Sequence, residues 1–127
     1  MLARDIMTRT VYTIHPEASA QEAAQLLDQK RISGAPVVDD AEKLIGIVTE
    51  ADIISKVDRQ GLRVADIMTH SLITVEEETS IEEVAALLSQ RKIKRVPVVE
   101  NGRLVGIVSR ADIVHAVASG LLIIRSW

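Results

Sequence analysis

A mixed α+β fold, built from two copies of one β-α-β-β-α repeat, follows from three observations on this chain of 127 residues. The first is self-similarity. Asp5-Ile6-Met7-Thr8 returns as Asp66-Ile67-Met68-Thr69, and Gly46-Ile47-Val48-Thr49-Glu50-Ala51-Asp52 returns as Gly106-Ile107-Val108-Ser109-Arg110-Ala111-Asp112. The period of about 60 residues is longer than most solenoid repeats and short for an independent domain. The second is patterning, since each copy alternates short β-branched runs with helix-start signals. The third is composition: 47% hydrophobic, 2% aromatic and no Phe, so the core must be built from Ile, Val, Leu and Ala. Repeats 1–60 and 61–120 are expected to pack around a pseudo-twofold axis into one module, with function in the groove they share. An apolar tail, 121–127, comes after them and is expected to pack on the module or to meet a partner subunit.

Each repeat opens with a β-type run, Val11-Tyr12-Thr13-Ile14 and Leu72-Ile73-Thr74-Val75. Ser19 with Glu22, and Ser80 with Glu83, have the Ser-x-x-Glu spacing of a capping box and predict helix starts. Ile81, Val84, Ala85 and Leu88 fall at i, i+3, i+4 and i+7, one apolar helix face. Lys30-Arg31 and Arg91-Lys92 place cations at the helix ends, where they complement the dipole. Ala35-Pro36-Val37-Val38 and Val96-Pro97-Val98-Val99 read as strands, with Pro at a first strand position. Each leads through a turn into a further strand, Leu44 to Val48 and Leu104 to Val108. The second turn holds Asn101-Gly102, a strong hairpin signal. The first, Asp40 to Lys43, is one residue longer. Second helices start at Thr49 and Ser109, and Lys56 to Arg63 joins the repeats.

Composition narrows the function. Formal net charge is −3 with mixed signs, unlike the basic excess of a nucleic-acid binder. With no cysteine, disulfides, thiolate metal sites and Cys nucleophiles are excluded. The N-terminus lacks the apolar stretch of a signal peptide, and no apolar run approaches the ~20 residues of a membrane helix. The expectation is a cytoplasmic protein without membrane association. No Ser-His-Asp order, P-loop, metal cluster or dinucleotide fingerprint is present, so an enzyme is not expected.

The residues suited to binding lie in Gly-Ile-Val-Thr/Ser-x-Ala-Asp. Glycine inside a strand implies close approach of a backbone or a ligand, which singles out Gly46 and Gly106. Thr49 and Ser109 stand at strand-to-helix junctions, where free N–H groups favour phosphate. Asp52 and Asp112, three residues on, can each accept hydrogen bonds from a vicinal diol such as ribose. The same Thr/Ser-x-x-Asp pattern is also a side-chain-capped helix start, and the sequence leaves both readings open. Of the three histidines, His15, His70 and His115, none has ligand spacing. His70 stands directly after the second Asp-Ile-Met-Thr and is a candidate phosphate neighbour, though it also reads as a surface residue. Glu76-Glu77-Glu78 suits a helix approach.

Taken in order, these motifs resemble a tandem pair of cystathionine β-synthase (CBS) domains, often called a Bateman module. The resemblance rests on the paired Asp-Ile-Met-Thr segments, on Ile32-Ser33-Gly34-Ala35-Pro36-Val37-Val38 with Ile93-Lys94-Arg95-Val96-Pro97-Val98-Val99, and on the paired Gly-Ile-Val-Thr/Ser-x-Ala-Asp segments. It covers all but the tail. It implies an adenosine-type ligand in the cleft between repeats: AMP, ADP, ATP, S-adenosylmethionine or NADH. It implies no obligatory cofactor and no protein metal site, with magnesium admitted beside ATP. It assigns ribose to Asp52 and Asp112 and phosphate to Thr49 and Ser109. It lays adenine against Thr13, Ile14 and His15 with Ser33, Gly34, Ala35 and Pro36, or against Thr74, Val75 and Glu76 with Lys94, Arg95, Val96 and Pro97. The halves differ in charge. Ser33-Gly34 and Glu50 stand where the second half has Lys94-Arg95 and Arg110, so the Asp112 site is expected to be the better phosphate site.

The resemblance implies a regulatory sensor that passes metabolite state to an unidentified effector protein. It also implies a homodimer, a disc of four repeats. The alternative is a dimerisation module whose cleft stays empty. Nucleic-acid binding through the basic residues of the second half is the less favoured reading.

Overall fold

The computed structural model describes residues 1–122. Residues 123–127 of the apolar tail lie outside the described residues. The element order is α1 (Ala3–Ile6), α2 (Ala20–Lys30), β1 (Gly34–Val38), β2 (Leu44–Thr49), α3 (Glu50–Ile54), α4 (Val64–Ile67), β3 (Val75–Glu76), α5 (Ile81–Gln90), β4 (Arg95–Glu100), β5 (Arg103–Ser109) and α6 (Arg110–Ala118). This is a mixed α+β set with small sheets. Among the described residues no helix is long and apolar enough to cross a membrane.

The chain forms two compact units. One contains Tyr12–Leu72 with the turn residues Gly102–Leu104, and is named here the Asp52 unit. The other contains Met1–Val11, Ile73–Asn101 and the chain from Val105, and is named the Asp112 unit. Each unit takes its Asp-Ile-Met-Thr segment from the opposite sequence repeat.

In the Asp52 unit, Ser19 caps α2 through a reciprocal box. Its Oγ accepts the Glu22 N–H at 3.0 Å, and Glu22 Oε1 accepts the Ser19 N–H at 3.2 Å. Helix α2 stops at Arg31, which takes the left-handed conformation with φ 53°. β1 pairs antiparallel with β2. The run expected over Val11–Ile14 makes only one parallel bridge, Ile14 to Val37, and proline explains why. Ile14 N–H donates to the Pro36 carbonyl and Val38 N–H to the Ile14 carbonyl, each at 3.0 Å. One step earlier in that register the Tyr12 carbonyl would need the N–H that Pro36 lacks. Pro36 itself lies inside β1 rather than at its first position, with its donorless side toward this short neighbour. The longer hairpin turn is organised by Asp39, whose Oδ1 accepts the Ala41 and Lys43 N–H groups at 2.9 and 3.0 Å. The core is aliphatic: Ile14, Ala23, Leu27, Ala35, Val37, Val48, Val64 and Ile67.

The Asp112 unit has the same plan. Ser80 caps α5, accepting the Glu83 N–H at 3.2 Å, and the face predicted for that helix buries Ile81, Val84 and Leu88. β3 pairs parallel with β4, Val75 opposite Val98. Pro97 stands one residue before Val98, inside β4, and β3 begins at Val75 rather than at Leu72. Asn101 and Gly102 turn the hairpin with φ 52° and 79°, the pair of positive values that a tight two-residue turn needs. The core joins Ala3 and Met7 to Val75, Ile81, Val84, Leu88, Val96, Val98 and Val108.

The single helical turns α1 and α4 are set by the aspartates of the repeated tetrad. Asp5 Oδ2 accepts the Leu2 N–H at 2.7 Å and Asp66 Oδ2 accepts the Arg63 N–H at 2.8 Å. The Met-Thr pair that ends each tetrad then docks on a strand glycine. In the Asp52 unit, Thr69 exchanges backbone hydrogen bonds with Ile47, at 2.8 and 3.0 Å. A Cβ on Gly46 would lie 2.7 Å from Met68 Sδ and 3.1 Å from the Thr69 carbonyl. In the Asp112 unit, Thr8 pairs with Ile107 in the same way, at 2.8 and 3.0 Å. A Cβ on Gly106 would lie 2.6 Å from Met7 Sδ and 3.1 Å from the Thr8 carbonyl. The close approach expected at these glycines is that of the chain's own Met-Thr.

Candidate ligand site

Each unit presents the same constellation at a strand-to-helix junction. In the Asp112 unit, Ser109 is the N-cap of α6 and Asp112 stands at its third residue. Asp112 Oδ2 accepts the Ser109 N–H at 2.8 Å and the Ser109 hydroxyl at 3.0 Å, while the Asp112 N–H donates back to Ser109 Oγ at 3.2 Å. Oδ1 accepts the Thr8 hydroxyl at 3.0 Å. In the Asp52 unit, Asp52 Oδ2 accepts the Thr49 N–H at 2.8 Å and the Thr49 hydroxyl at 3.0 Å. Its Oδ1 accepts the Thr69 hydroxyl at 3.2 Å. The capping reading of Thr/Ser-x-x-Asp is therefore realised in both units. It leaves each carboxylate half-buried, with Oδ1 turned to an exposed threonine. Thr8 and Thr69 were not among the residues singled out from the sequence. The signal lay in the repeated tetrad, whose last residue they are.

The remaining candidates divide cleanly between the units. In the Asp52 unit, Thr13 is exposed and Ile14, Gly34, Ala35 and Pro36 are buried. His15 is held in place, because its Nδ1 accepts the Glu17 N–H at 3.2 Å and its Nε2 lies 2.9 Å from Asp40 Oδ1. The half-buried Ser33 accepts the Glu50 N–H at its carbonyl, at 3.0 Å. His70 is exposed, next to Thr69. In the Asp112 unit, Thr74 and Glu76 are exposed while Val75, Val96 and Pro97 are buried. Lys94 is exposed and Arg95 half-buried. The Lys94 carbonyl accepts the Arg110 N–H at 3.0 Å, and Arg110 Nε donates to the Ile93 carbonyl at 2.9 Å. Arg110 is thus anchored beside Lys94, where the Asp52 unit has Glu50 beside Ser33. Among the described residues no cluster of three or more His, Asp or Glu side chains is placed to hold a metal ion.

Fold and site together define a tandem-repeat module with one capped carboxylate at each strand-to-helix junction. The chain belongs to the CBS domain family, whose model matches residues 3–59 and 64–119. Solved structures agree. The CBS domain pair of protein MJ0100, in complex with 5′-methylthioadenosine and S-adenosyl-L-methionine, superposes with a TM-score of 0.83 at 35% identity, covering 94% of this chain and 98% of that one. CBSX2 in complex with AMP gives a TM-score of 0.86 at 32% identity, covering 93% and 96%; that protein is from Arabidopsis thaliana. Inosine-5′-monophosphate dehydrogenase from Staphylococcus epidermidis is 41% identical over 105 residues, 80% of this chain but only 21% of that enzyme. Uncharacterized protein MJ1232 from Methanocaldococcus jannaschii is 32% identical over 115 residues, and the chain spans 38% of its length.

Proposed function

We propose that the chain is a regulatory adenine-nucleotide-binding CBS pair, which takes an AMP-, ADP- or ATP-type ligand and passes its occupancy to a partner protein. Repeats 1–60 and 61–120 are its two domains, and each site draws on both, Thr8 serving Asp112 and Thr69 serving Asp52. The observation that carries this reading is the capped carboxylate of Asp112 with the Ser109 hydroxyl, at a junction whose next residue, Arg110, is fastened to the carbonyls of Ile93 and Lys94. The carboxylate suits a ribose diol, and the cations Lys94, Arg95 and Arg110 suit a phosphate. Asp52 offers a second ribose anchor without the cations. The adenosine ligands seen with MJ0100 and CBSX2 support the ligand class. Magnesium would enter only with a triphosphate, and the reading is one of binding without catalysis, in the cytoplasm.

A thermal-shift panel of AMP, ADP, ATP, S-adenosylmethionine and NADH tests it. A ligand present at about 100 times its dissociation constant stabilises the fold by about 2.7 kcal/mol, several degrees at this size. The expected result is a shift with an adenine nucleotide that D112A removes. No shift with any of the five would contradict the reading.

A second property has its own support. Ile54 and Val57 in one unit, and Val114 and Leu121 in the other, are 58–72% exposed. A second copy seated over these side chains would take their apolar surface out of water. We propose a homodimer, and sedimentation of the wild type against V114E tests it, a dimer giving way to a monomer.

A further inference from the structure

We infer that Thr8 and Thr69, the last residues of the two Asp-Ile-Met-Thr segments, share the reading of the ribose diol with Asp112 and Asp52. The inference rests on the nucleotide-binding reading and deepens it. An ionised carboxylate offers about four lone-pair positions. Asp112 Oδ2 spends both of its positions on Ser109, through the N–H at 2.8 Å and the hydroxyl at 3.0 Å. Asp112 Oδ1 spends one on the Thr8 hydroxyl at 3.0 Å. One position on the carboxylate is left, and a vicinal diol brings two donors. The second acceptor at hand is Thr8 Oγ1. Its proton is committed to Asp112, which leaves the oxygen's lone pairs free to accept, and Thr8 is exposed. One ribose hydroxyl therefore donates to Asp112 Oδ1 and the other to Thr8 Oγ1.

The Asp52 unit repeats every part of this arrangement. Thr49 occupies Asp52 Oδ2 with two hydrogen bonds, and Thr69 Oγ1 lies 3.2 Å from Oδ1. Threonine is held there by backbone pairing to Ile107 or Ile47 on one side. Its Met neighbour sits against the strand glycine on the other. Capping the helix needs no Thr8, because Ser109 already makes the whole cap. The threonine is thus an addition to the cap, positioned at the one carboxylate oxygen the cap leaves open.

The test is calorimetric titration of the full chain with AMP, 2′-deoxy-AMP and 3′-deoxy-AMP, for wild type, Thr8→Val and Thr8→Ser. Thr8→Val keeps the shape and removes the hydroxyl. It is expected to weaken AMP by about threefold to tenfold, the range for one hydrogen bond. It should leave the affinity for one of the two deoxy analogues unchanged, because that analogue already lacks the partner of Thr8. Thr8→Ser should retain AMP binding. Equal weakening of all three ligands by Thr8→Val would make Thr8 a mere fastening of the N-terminal segment and overturn the inference. Unchanged or tighter AMP binding would overturn it as well. Wild type that binds none of the three nucleotides would overturn the functional reading itself, and the inference with it.

Discussion

At the junction of β2 and α3 the chain carries Glu50, with Ser33 beside it; at the junction of β5 and α6 it carries Arg110, with Lys94 beside it. The backbone around these residues is the same in both units. The residue after the N-cap donates its N–H to the carbonyl of the equivalent residue before the strand, at 3.0 Å in each. The cap, the carboxylate and the threonine on Oδ1 also match, within 0.2 Å in the last distance, 3.0 against 3.2 Å. What differs is charge and the length of helix behind it, since α3 has 5 residues and α6 has 9. The capped carboxylate is thus duplicated, while the cations Lys94, Arg95 and Arg110 stand in the Asp112 unit alone, where Ser33, Gly34 and Glu50 are their counterparts. A duplicated fold can keep one cap through backbone geometry and still change its charge through a few surface side chains; on the proposed function, that charge difference is what would separate the two sites.

The largest expected effects strike what the units have in common. Gly106→Ala and Gly46→Ala would each drive a Cβ into the Met-Thr segment docked on that strand. The carbonyls of Thr8 and Thr69, each 3.1 Å from that Cβ, cannot turn away as the Met side chains can. Overpacking of this kind costs about 1–3 kcal/mol. Met7 is buried in its core and Met68 is only partly buried, so Gly106→Ala should lie nearer the upper end and Gly46→Ala nearer the lower. Denaturant unfolding of both variants checks the order.

A smaller effect comes from exchanging the charges. Glu50→Arg should improve AMP binding at the Asp52 site, and Arg110→Glu should weaken it at the Asp112 site, each by up to ~1 kcal/mol for exposed charges. Titrations at low and high salt check both, since the effects should shrink as screening grows.

The smallest effect concerns the helix ends. Arg31 and Lys92 hold φ 53° and 54° just past α2 and α5. Glycine adopts that conformation without a Cβ clash but loses more chain entropy on folding. Arg31→Gly and Lys92→Gly should therefore each stabilise by only about 0.5 kcal/mol, equally in the two units, as measured by denaturant unfolding.

Much of this was legible in the sequence because local chemistry dictated it. The Ser caps of α2 and α5, the Asn101-Gly102 turn and the aliphatic cores need only neighbouring residues or simple periodicity. The first strands are shorter than their sequence suggests, for a reason visible in the structure. β propensity favours Val11–Ile14, but Pro36 on the neighbouring strand withholds the donor that would extend the pairing. The in-strand glycines signalled a close approach without naming what approaches. A repeat of about 60 residues states that two halves are alike and is silent on which core receives each Asp-Ile-Met-Thr. Hence Ala3 and Met7 in the core with Val108, and Thr8 on Asp112, could be found only in three dimensions. Residues 104 apart share that last hydrogen bond.

The proposed division of ligands between the units is tested most directly by titrating AMP into the wild type, Asp112→Ala and Asp52→Ala. Losing a carboxylate that accepts ribose hydrogen bonds should cost roughly 1.5–3 kcal/mol. The predicted result is that Asp112→Ala removes the tighter binding event and that Asp52→Ala leaves it in place. Loss of that event in Asp52→Ala, with Asp112→Ala binding as the wild type does, would contradict the division.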